Sequence, residues 1–211
     1  EILISRLVDR AVRPLFPDTF LNETQIIINL ISGDMKNMPD CYAALAASAA
    51  LAVSDIPFDG PISEVRVAKI NGKYVINPER DQLASADLDL IVAATLKDVM
   101  MVEGEANECQ ESEIVEAIKI AHDAIKVQCE AQLALAQKVG DKALIKRAIV
   151  EVEEDTELKE LIKSLAKPGF LKVSESALDK HSRKKGYKEV QTAATEEILA
   201  QKGEEYMTDN A

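Results

Sequence analysis

Residues 65–78 read VRVAKINGKYVINP, and this stretch decides the class of fold. Two short runs rich in β-branched residues flank Asn71 and Gly72, a pair that favours the backbone of a two-residue hairpin turn. The pattern predicts a β-hairpin over residues 65–76. Two more strand-like runs follow along the chain, at residues 88–95 and 99–103. Because short connections join antiparallel strands, we expect a mostly antiparallel sheet.

Helical patterns lie before and after the predicted sheet. Three segments have the apolar spacing or the alanine content of buried helices: residues 2–12, 40–53 and 113–139. We expect Ser112 to cap the third of these helices and Gly140 to end it. The β-branched run TQIIINLI at residues 24–31 predicts an additional buried strand.

Strand signals end near residue 140, and the rest of the chain is typical of helices. The predicted helices cover residues 142–152, 157–167 and 171–201. We expect Pro168 and Gly169 to separate the last two, and Gly186 to be a possible further break. The sequence thus predicts an α/β (α+β) domain over residues 1–140 and a small all-α domain over residues 141–211.

Composition limits the classes of function. The 211 residues have a formal net charge of −12, so binding to nucleic acid would need a local basic surface. No apolar run approaches the length of a membrane span, and we expect a cytoplasmic protein with no membrane partner. The three cysteines have neither the number nor the spacing of a disulfide framework or a zinc site.

Several stretches carry a resemblance to a known family. Residues 1–20, EILISRLVDRAVRPLFPDTF, closely resemble a segment of bacterial polynucleotide phosphorylases that follows an arginine-containing RNA-contact loop. Further similar stretches keep the same order and spacing: ASAALAVSDIPFDGPI (47–62), NGKYVINP (71–78), LDLIVAAT (88–95) and VMMVEGEANE (99–108). The resemblance covers roughly residues 1–135, and the helical remainder resembles the family's linker domain in position and class.

The resemblance implies a fold and an activity. It implies that residues 1–140 are part of the first RNase PH-like repeat (ribosomal protein S5 domain 2-like) with its N-terminal part missing. The family consists of homotrimeric 3′→5′ exoribonucleases, which degrade single-stranded RNA with inorganic phosphate to nucleoside diphosphates. Its phosphate and Mg²⁺ sites lie in the second repeat, which is absent here, so we expect this portion alone to be inactive.

Two alternatives stay open from the sequence. The chain could be a non-catalytic interaction module that recruits RNA-degradation proteins, or a subunit of another exosome-like ring of RNase PH folds. The helical extension and the VEGEANE stretch argue against the second alternative.

Three arginines are the candidate RNA-binding residues. Arg6, Arg10 and Arg13 follow helical spacing, which places them on one side of the first helix, opposite its apolar face. Guanidinium groups suit phosphate oxygens, and the resemblance implies that this helix lies near the RNA path or the repeat interface. The alternative is that Arg6 and Arg10 form structural ion pairs with Asp9 or other carboxylates.

No residue is assigned a catalytic or metal-binding role. Asp87 and Asp89 lie two apart at the start of a predicted strand and resemble the family's metal-binding Asp-x-Asp-x-Lys, but Ile91 occupies the lysine position. The family's phosphate-binding serine is replaced near Pro39 and Asp40. The basic run DKHSRKKGYK at residues 179–188 is a further possible RNA contact, in which Tyr187 could stack on a base.

Overall fold

A computed structural model of the chain describes residues 2–149 and 155–203. The chain divides into two compact units, Glu1–Glu151 and Val152–Ala211. None of the described helices has both the length and the apolar character that a membrane span requires.

An antiparallel sheet of four strands forms the centre of the first unit, in the order β2-β1-β3-β4. The strands are β1 (Ser63–Ile70), β2 (Lys73–Ile76), β3 (Ala86–Ala94) and β4 (Val99–Ala106). Asn71 and Gly72 both have positive φ, 50° and 75°, as the predicted hairpin turn requires. The predicted antiparallel sheet and its hairpin are therefore confirmed.

Helices cover both faces of this sheet. They are α1 (Ile2–Val12), α2 (Asp40–Ala52), α3 (Arg80–Leu83), α4 (Glu111–Val139) and α5 (Asp141–Leu144), and a 3-10 turn (Arg13–Leu15) follows α1. On one face, α4 packs Ala117, Ala121 and Ile125 against Val65 and Val92. On the other, α1 and α2 pack against the remaining core side chains, which include Ile91, Ala93 and Met101. The unit is a sheet between two helical layers.

The ends of α4 show which capping predictions hold. The helix begins one residue before Ser112, and Gln110 is its N-cap in a capping box with Glu113. Gly140, with φ of 76°, follows the last residue of α4 as predicted.

The predicted strand at residues 24–31 is wrong. These residues have no strand assignment, and their side chains are exposed. Ile27 is 72% exposed and Ile31 is 97% exposed. The physical reason is that a strand needs a hydrogen-bonded neighbour, and none of the four described strands pairs with this segment.

The second unit contains a pair of helices, α6 (Thr156–Glu175) and α7 (Lys180–Lys202). Pro168 lies inside α6, so the predicted break at Pro168 and Gly169 is wrong. Gly186 likewise lies inside α7, and the chain turns at residues 176–179 instead. A helix was predicted over residues 142–152, but the observed helix α5 is shorter and ends at Leu144. Residues 150–152 of the predicted helix lie outside the described part of the chain.

The helical unit begins later than the predicted boundary at residue 140. Lys146 Nζ donates to the carbonyl oxygen of Ser54 at 2.6 Å, and Arg147 Nη2 donates to Asp55 Oδ1 at 2.6 Å. Residues 141–149 thus belong to the first unit. The assignment of the helical unit as a linker domain stays a prediction.

Candidate nucleic-acid interface

The arginines of α1 lie on its exposed side. Leu7, Val8, Ala11 and Val12 are the buried residues of this helix, which leaves the positions between them to solvent. Arg6, Arg10 and Arg13 are all exposed. Apolar spacing thus fixes the inner face of α1 and presents three guanidinium groups outward.

Two of these arginines make ion pairs at the surface. Arg10 Nη1 lies 2.5 Å from Glu103 Oε2 on β4, and Arg13 Nη2 lies 2.5 Å from Asp9 Oδ1 one turn earlier. The hydrogen bonds that Arg13 donates to Asp9, together with the charge of Asp9, raise the pKa of Arg13. The arginine side chains remain 49% and 75% exposed, respectively. Exposed pairs of this kind stabilise a fold weakly, so a phosphate can displace the carboxylate.

A cavity of about 550 Å³ lies beside Arg13. Its walls come from α1, from the turn around Phe16 and Pro17, and from the exposed segment that includes Ile26 and Ile28. Asp9 and Arg13 both contribute to the lining, which combines a charged edge with apolar sides.

The two aspartates of the Asp-x-Asp pair on β3, Asp87 and Asp89, lie in different environments. Asp87 is exposed, whereas Asp89 is partly buried and accepts from Arg66 Nη1 at 2.7 Å and 2.6 Å through its two oxygens. Arg66 lies opposite Ile91 in the β1–β3 register, so Asp89 is its diagonal neighbour on the same face. Strand register thus directs the guanidinium to this carboxylate.

The same guanidinium reaches the first residue of α2. Arg66 Nη2 lies 2.5 Å from Asp40 Oδ2, and side-chain exposure in this pair is 12% for Arg66 and 10% for Asp40. Burial lowers the pKa of Arg66, but the hydrogen bonds that Arg66 donates to Asp40 and Asp89 outweigh it, and the net shift of the pKa is upward. Arg66 is therefore a permanent cation between two carboxylates, and we call these three residues the ion cluster.

Glu64 lies close to the ion cluster in the core. The residue is 2% exposed, and its Oε2 has no hydrogen-bond partner among the described residues. Burial, together with the charge of Asp40, raises the pKa of Glu64 to about 8, although Arg66 opposes the shift. The carboxyl group is thus mainly protonated and neutral at pH 7.

Sequence reasoning did not identify the ion cluster. Arg66 is 26 residues from Asp40 and 23 from Asp89, so no local spacing links them. One signal was present, because an arginine interrupts the apolar run of β1 and needs a buried partner.

Other polar side chains that could carry chemistry or bind RNA have structural contacts. Glu103 pairs with Arg10, and His122 Nε2 lies 3.0 Å from the carbonyl oxygen of Thr95. Tyr187 contacts Phe170, with ring centroids 5.6 Å apart, and its hydroxyl lies 3.0 Å from Ser174 Oγ. Within residues 2–149 and 155–203, no three histidine, cysteine, aspartate or glutamate side chains are grouped as a metal site.

Comparison with known proteins identifies two consecutive family matches. Domain 1 of the 3′ exoribonuclease family matches residues 1–57, and domain 2 of that family matches residues 60–124. The matches together cover α1, α2, the whole sheet and the first half of α4.

Sequence similarity to known proteins also covers the helical unit. A polyribonucleotide nucleotidyltransferase of Parabacteroides distasonis is 52% identical over 99% of this chain, which corresponds to 27% of the relative. Enzymes with the same name from Porphyromonas gingivalis and Amoebophilus asiaticus are 50% and 48% identical over 97% and 95% of the chain. The chain spans 28% of the length of each of these two relatives. The chain belongs to the 3′ exoribonuclease family, and its similarity to polyribonucleotide nucleotidyltransferases extends over nearly its full length.

Proposed function

We propose that this chain is a non-catalytic portion of a cytoplasmic, phosphorolytic 3′→5′ exoribonuclease. The whole enzyme uses inorganic phosphate to release nucleoside diphosphates from single-stranded RNA, with Mg²⁺ and phosphate bound in a second RNase PH-like repeat. This portion supplies scaffold, oligomer contacts within a homotrimer, and part of the RNA channel. The relatives' shared name and the two family matches support the activity.

The ion cluster is the observation that carries the non-catalytic assignment. A metal-binding aspartate must offer free oxygens, but both oxygens of Asp89 accept from Arg66. A phosphate site must also exclude nearby anions, whereas the Asp40 carboxylate lies against the same guanidinium. Asp89 and its neighbours therefore do not fit Mg²⁺ or phosphate, and we assign no step of the reaction to them.

The arginine side of α1 supports a role along the RNA path. Arg6, Arg10 and Arg13 are exposed, and Arg10 and Arg13 pair with the surface carboxylates of Glu103 and Asp9, which a phosphate can replace. Bidentate guanidinium contacts to phosphate oxygens recognise the RNA backbone without regard to sequence. We infer that these three residues bind RNA.

The exposed segment around residues 21–31 supports the scaffold role. Leu21, Ile27, Leu30 and Ile31 are each at least 66% exposed. Several large apolar side chains exposed in one short segment are typical of an interface with other protein. RNA-degradation proteins are additional possible partners of the whole enzyme.

A chimaera tests the non-catalytic assignment. These 211 residues replace the matched segment of the Parabacteroides distasonis enzyme, and phosphorolysis of a labelled oligoadenylate is measured with phosphate and Mg²⁺. We expect Asp87→Asn to leave kcat within about two-fold, because a group outside the reaction centre contributes little to transition-state binding. A loss of about 100-fold in a folded, trimeric chimaera would contradict the assignment.

The same chimaera tests the arginines. Arg6→Gln, Arg10→Gln and Arg13→Gln together should weaken oligoadenylate binding and raise KM while kcat changes little, because the contacts are to the RNA backbone and not to the reacting bond. The control neutralises three other exposed cations, with the changes Lys119→Gln, Lys138→Gln and Lys142→Gln. Equal effects of the two triple variants would show that general charge, and not α1, is responsible.

A further inference from the structure

The turn end of the α6–α7 pair is strongly basic in an acidic chain. The two helices run antiparallel, because Gly169 lies against Val190 and Gly186 lies against Val173. The second half of α6 and the first half of α7 therefore meet at the same end. Residues 167–188 contain seven lysines and arginines but two acidic residues, whereas the whole chain has a net charge of −12.

Most of these cations have no ion pair in the described part of the chain. Lys185 lies 3.8 Å from Glu189, with its side chain 80% exposed. The other basic residues have no carboxylate partner in the ranges that the structure describes: Lys167, Lys172, Lys180, Arg183, Lys184 and Lys188. We call these six residues the basic tip. All six are exposed.

The position of the basic tip on α7 opposes helix stability. The first turn of α7 contains Lys180 and Arg183 and no acidic residue. The amino end of a helix has a partial positive charge, so cations there are unfavourable. Asp179 offsets this in part, since it caps the backbone of His181 and Ser182. Because helix stability would favour acidic residues at these positions, the cations need another explanation.

The chemistry of the tip indicates a ligand recognised by its charge. Tyr187 packs on Phe170, and its hydroxyl lies 3.0 Å from Ser174 Oγ, so its ring takes part in the contact between the two helices. At this end of the helix pair Leu171 and Leu178 are 49% and 41% exposed, but no aliphatic side chain occurs between Lys180 and Lys188, where most of the cations lie. A polyanion with repeated phosphates fits these properties.

We propose that the basic tip is a second RNA-binding surface, which holds the sugar-phosphate backbone of single-stranded RNA independently of sequence. The proposal rests on the proposed function, because RNA is the polyanion that the enzyme would handle. The tip lies in the helical unit and the arginines of α1 lie in the first unit, so the two surfaces can be disabled separately.

Charge reversal in the full 211-residue chain tests the proposal. The variant Lys180→Glu, Arg183→Glu, Lys184→Glu is compared with Lys119→Glu, Lys138→Glu, Lys142→Glu, which makes the same change in net charge at exposed sites of α4 and α5. Binding of a fluorescent oligoadenylate is followed by anisotropy between about 50 and 200 mM salt. Circular dichroism reports helix content and melting temperature.

We expect the tip variant to bind RNA at least about ten-fold more weakly than the control variant. Its slope of log affinity against log salt should be smaller by about 2, since each lost phosphate contact on a single strand removes about 0.7. Its melting temperature should rise by about 2 °C or more, because glutamates suit the amino end of α7. A purely structural role for the cations would give the opposite shift.

Three results would overturn the proposal: no measurable binding by the unchanged chain at the lowest salt, equal losses in the two variants, or tip-dependent binding to phosphatidylserine vesicles without binding to RNA. Failure here is distinguishable from failure of the proposed function. The chimaera would still phosphorolyse a short oligoadenylate if the basic tip does not bind RNA.

Discussion

Arg66 illustrates how one buried cation can organise a site. It contacts Asp40 at the start of α2 and Asp89 on β3, and these side chains are 10–20% exposed. Removal of the cation leaves two carboxylates in a poorly solvated position. We predict that Arg66→Met lowers the free energy of unfolding by about 3–5 kcal/mol, measured by urea denaturation.

Two comparisons make this prediction specific. Arg10→Gln removes an exposed ion pair and should cost less than about 1 kcal/mol. Combining Arg66→Met with Asp40→Asn and Asp89→Asn should restore much of the lost stability, because no charge is then left unpaired. If Arg66→Met costs no more than Arg10→Gln, the ion cluster does not hold α2 to the sheet.

Glu64 should make stability depend on pH. Its pKa rises from an ordinary value of 4.5 to about 8 in the folded chain, mainly through burial. The folded state thus binds the proton of Glu64 more tightly than the unfolded state does. The stability that Glu64 contributes is therefore fully present below about pH 4.5 and is lost as pH rises towards 8. We predict that stability falls over this range, with a slope of at most about 1.4 kcal/mol per pH unit.

The Glu64→Gln variant is the matched comparison. Glutamine has nearly the same shape and does not titrate, so the difference in unfolding free energy between the two chains isolates Glu64 from all other groups. Urea denaturation at several pH values between 5 and 8 measures that difference. A difference that stays constant across the range would show that Glu64 titrates normally.

At the scale of elements, close approach of α6 and α7 depends on two glycines. A Cβ at Gly169 would lie 2.8 Å from Val190 Cγ1, and one at Gly186 would lie 3.1 Å from Val173 Cγ1. Gly→Ala in a helix normally stabilises by about 1 kcal/mol. We predict instead that Gly169→Ala destabilises the helix pair by about 1–3 kcal/mol, because the added methyl group overpacks the contact.

A double-mutant cycle checks the cause of that loss. Val190→Ala makes room beside Gly169, so the pair Gly169→Ala, Val190→Ala should be more stable than the sum of the two single changes indicates. Melting curves of the helical signal in the full chain give the four values. If the two single changes in stability simply add, the loss caused by Gly169→Ala does not come from its contact with Val190.

The helices and strands also show which features local sequence patterns can predict. The hairpin at Asn71 and the end of α4 at Gly140 were predicted correctly, because turn geometry and helix termination depend on neighbouring residues. The strand at residues 24–31 was predicted wrongly, because β-branched content does not provide a pairing partner. The break at Pro168 was also wrong, since packing of α6 on α7 outweighs one missing backbone hydrogen bond.

The candidate site was only partly predictable, for a related reason. The exposed arginines of α1 follow directly from helical spacing, and Arg6, Arg10 and Arg13 lie where the pattern indicated. Their partner Glu103 comes from β4, far along the chain, and the ion cluster joins three separate elements. Contacts between distant elements depend on the fold, which local spacing does not specify.

At the scale of the whole molecule, the exposed apolar segment should control self-association. Four large apolar side chains within residues 21–31 are each at least 66% exposed: Leu21, Ile27, Leu30 and Ile31. We predict that the chain on its own binds a hydrophobic dye and forms oligomers as concentration rises. The double variant Ile27→Gln, Ile31→Gln should reduce both effects, measured by fluorescence and by light scattering after size-exclusion chromatography.

A matched pair of exposed valines on α4 provides the control. Val115 and Val127 are 50% and 66% exposed, and changing both to glutamine removes a similar number of exposed apolar side chains elsewhere. If the control variant reduces association as much as the isoleucine variant, the surface around residues 21–31 is not the interface. If neither variant changes it, the oligomer contacts of the proposed scaffold lie on another face, and the apolar segment has no part in assembly.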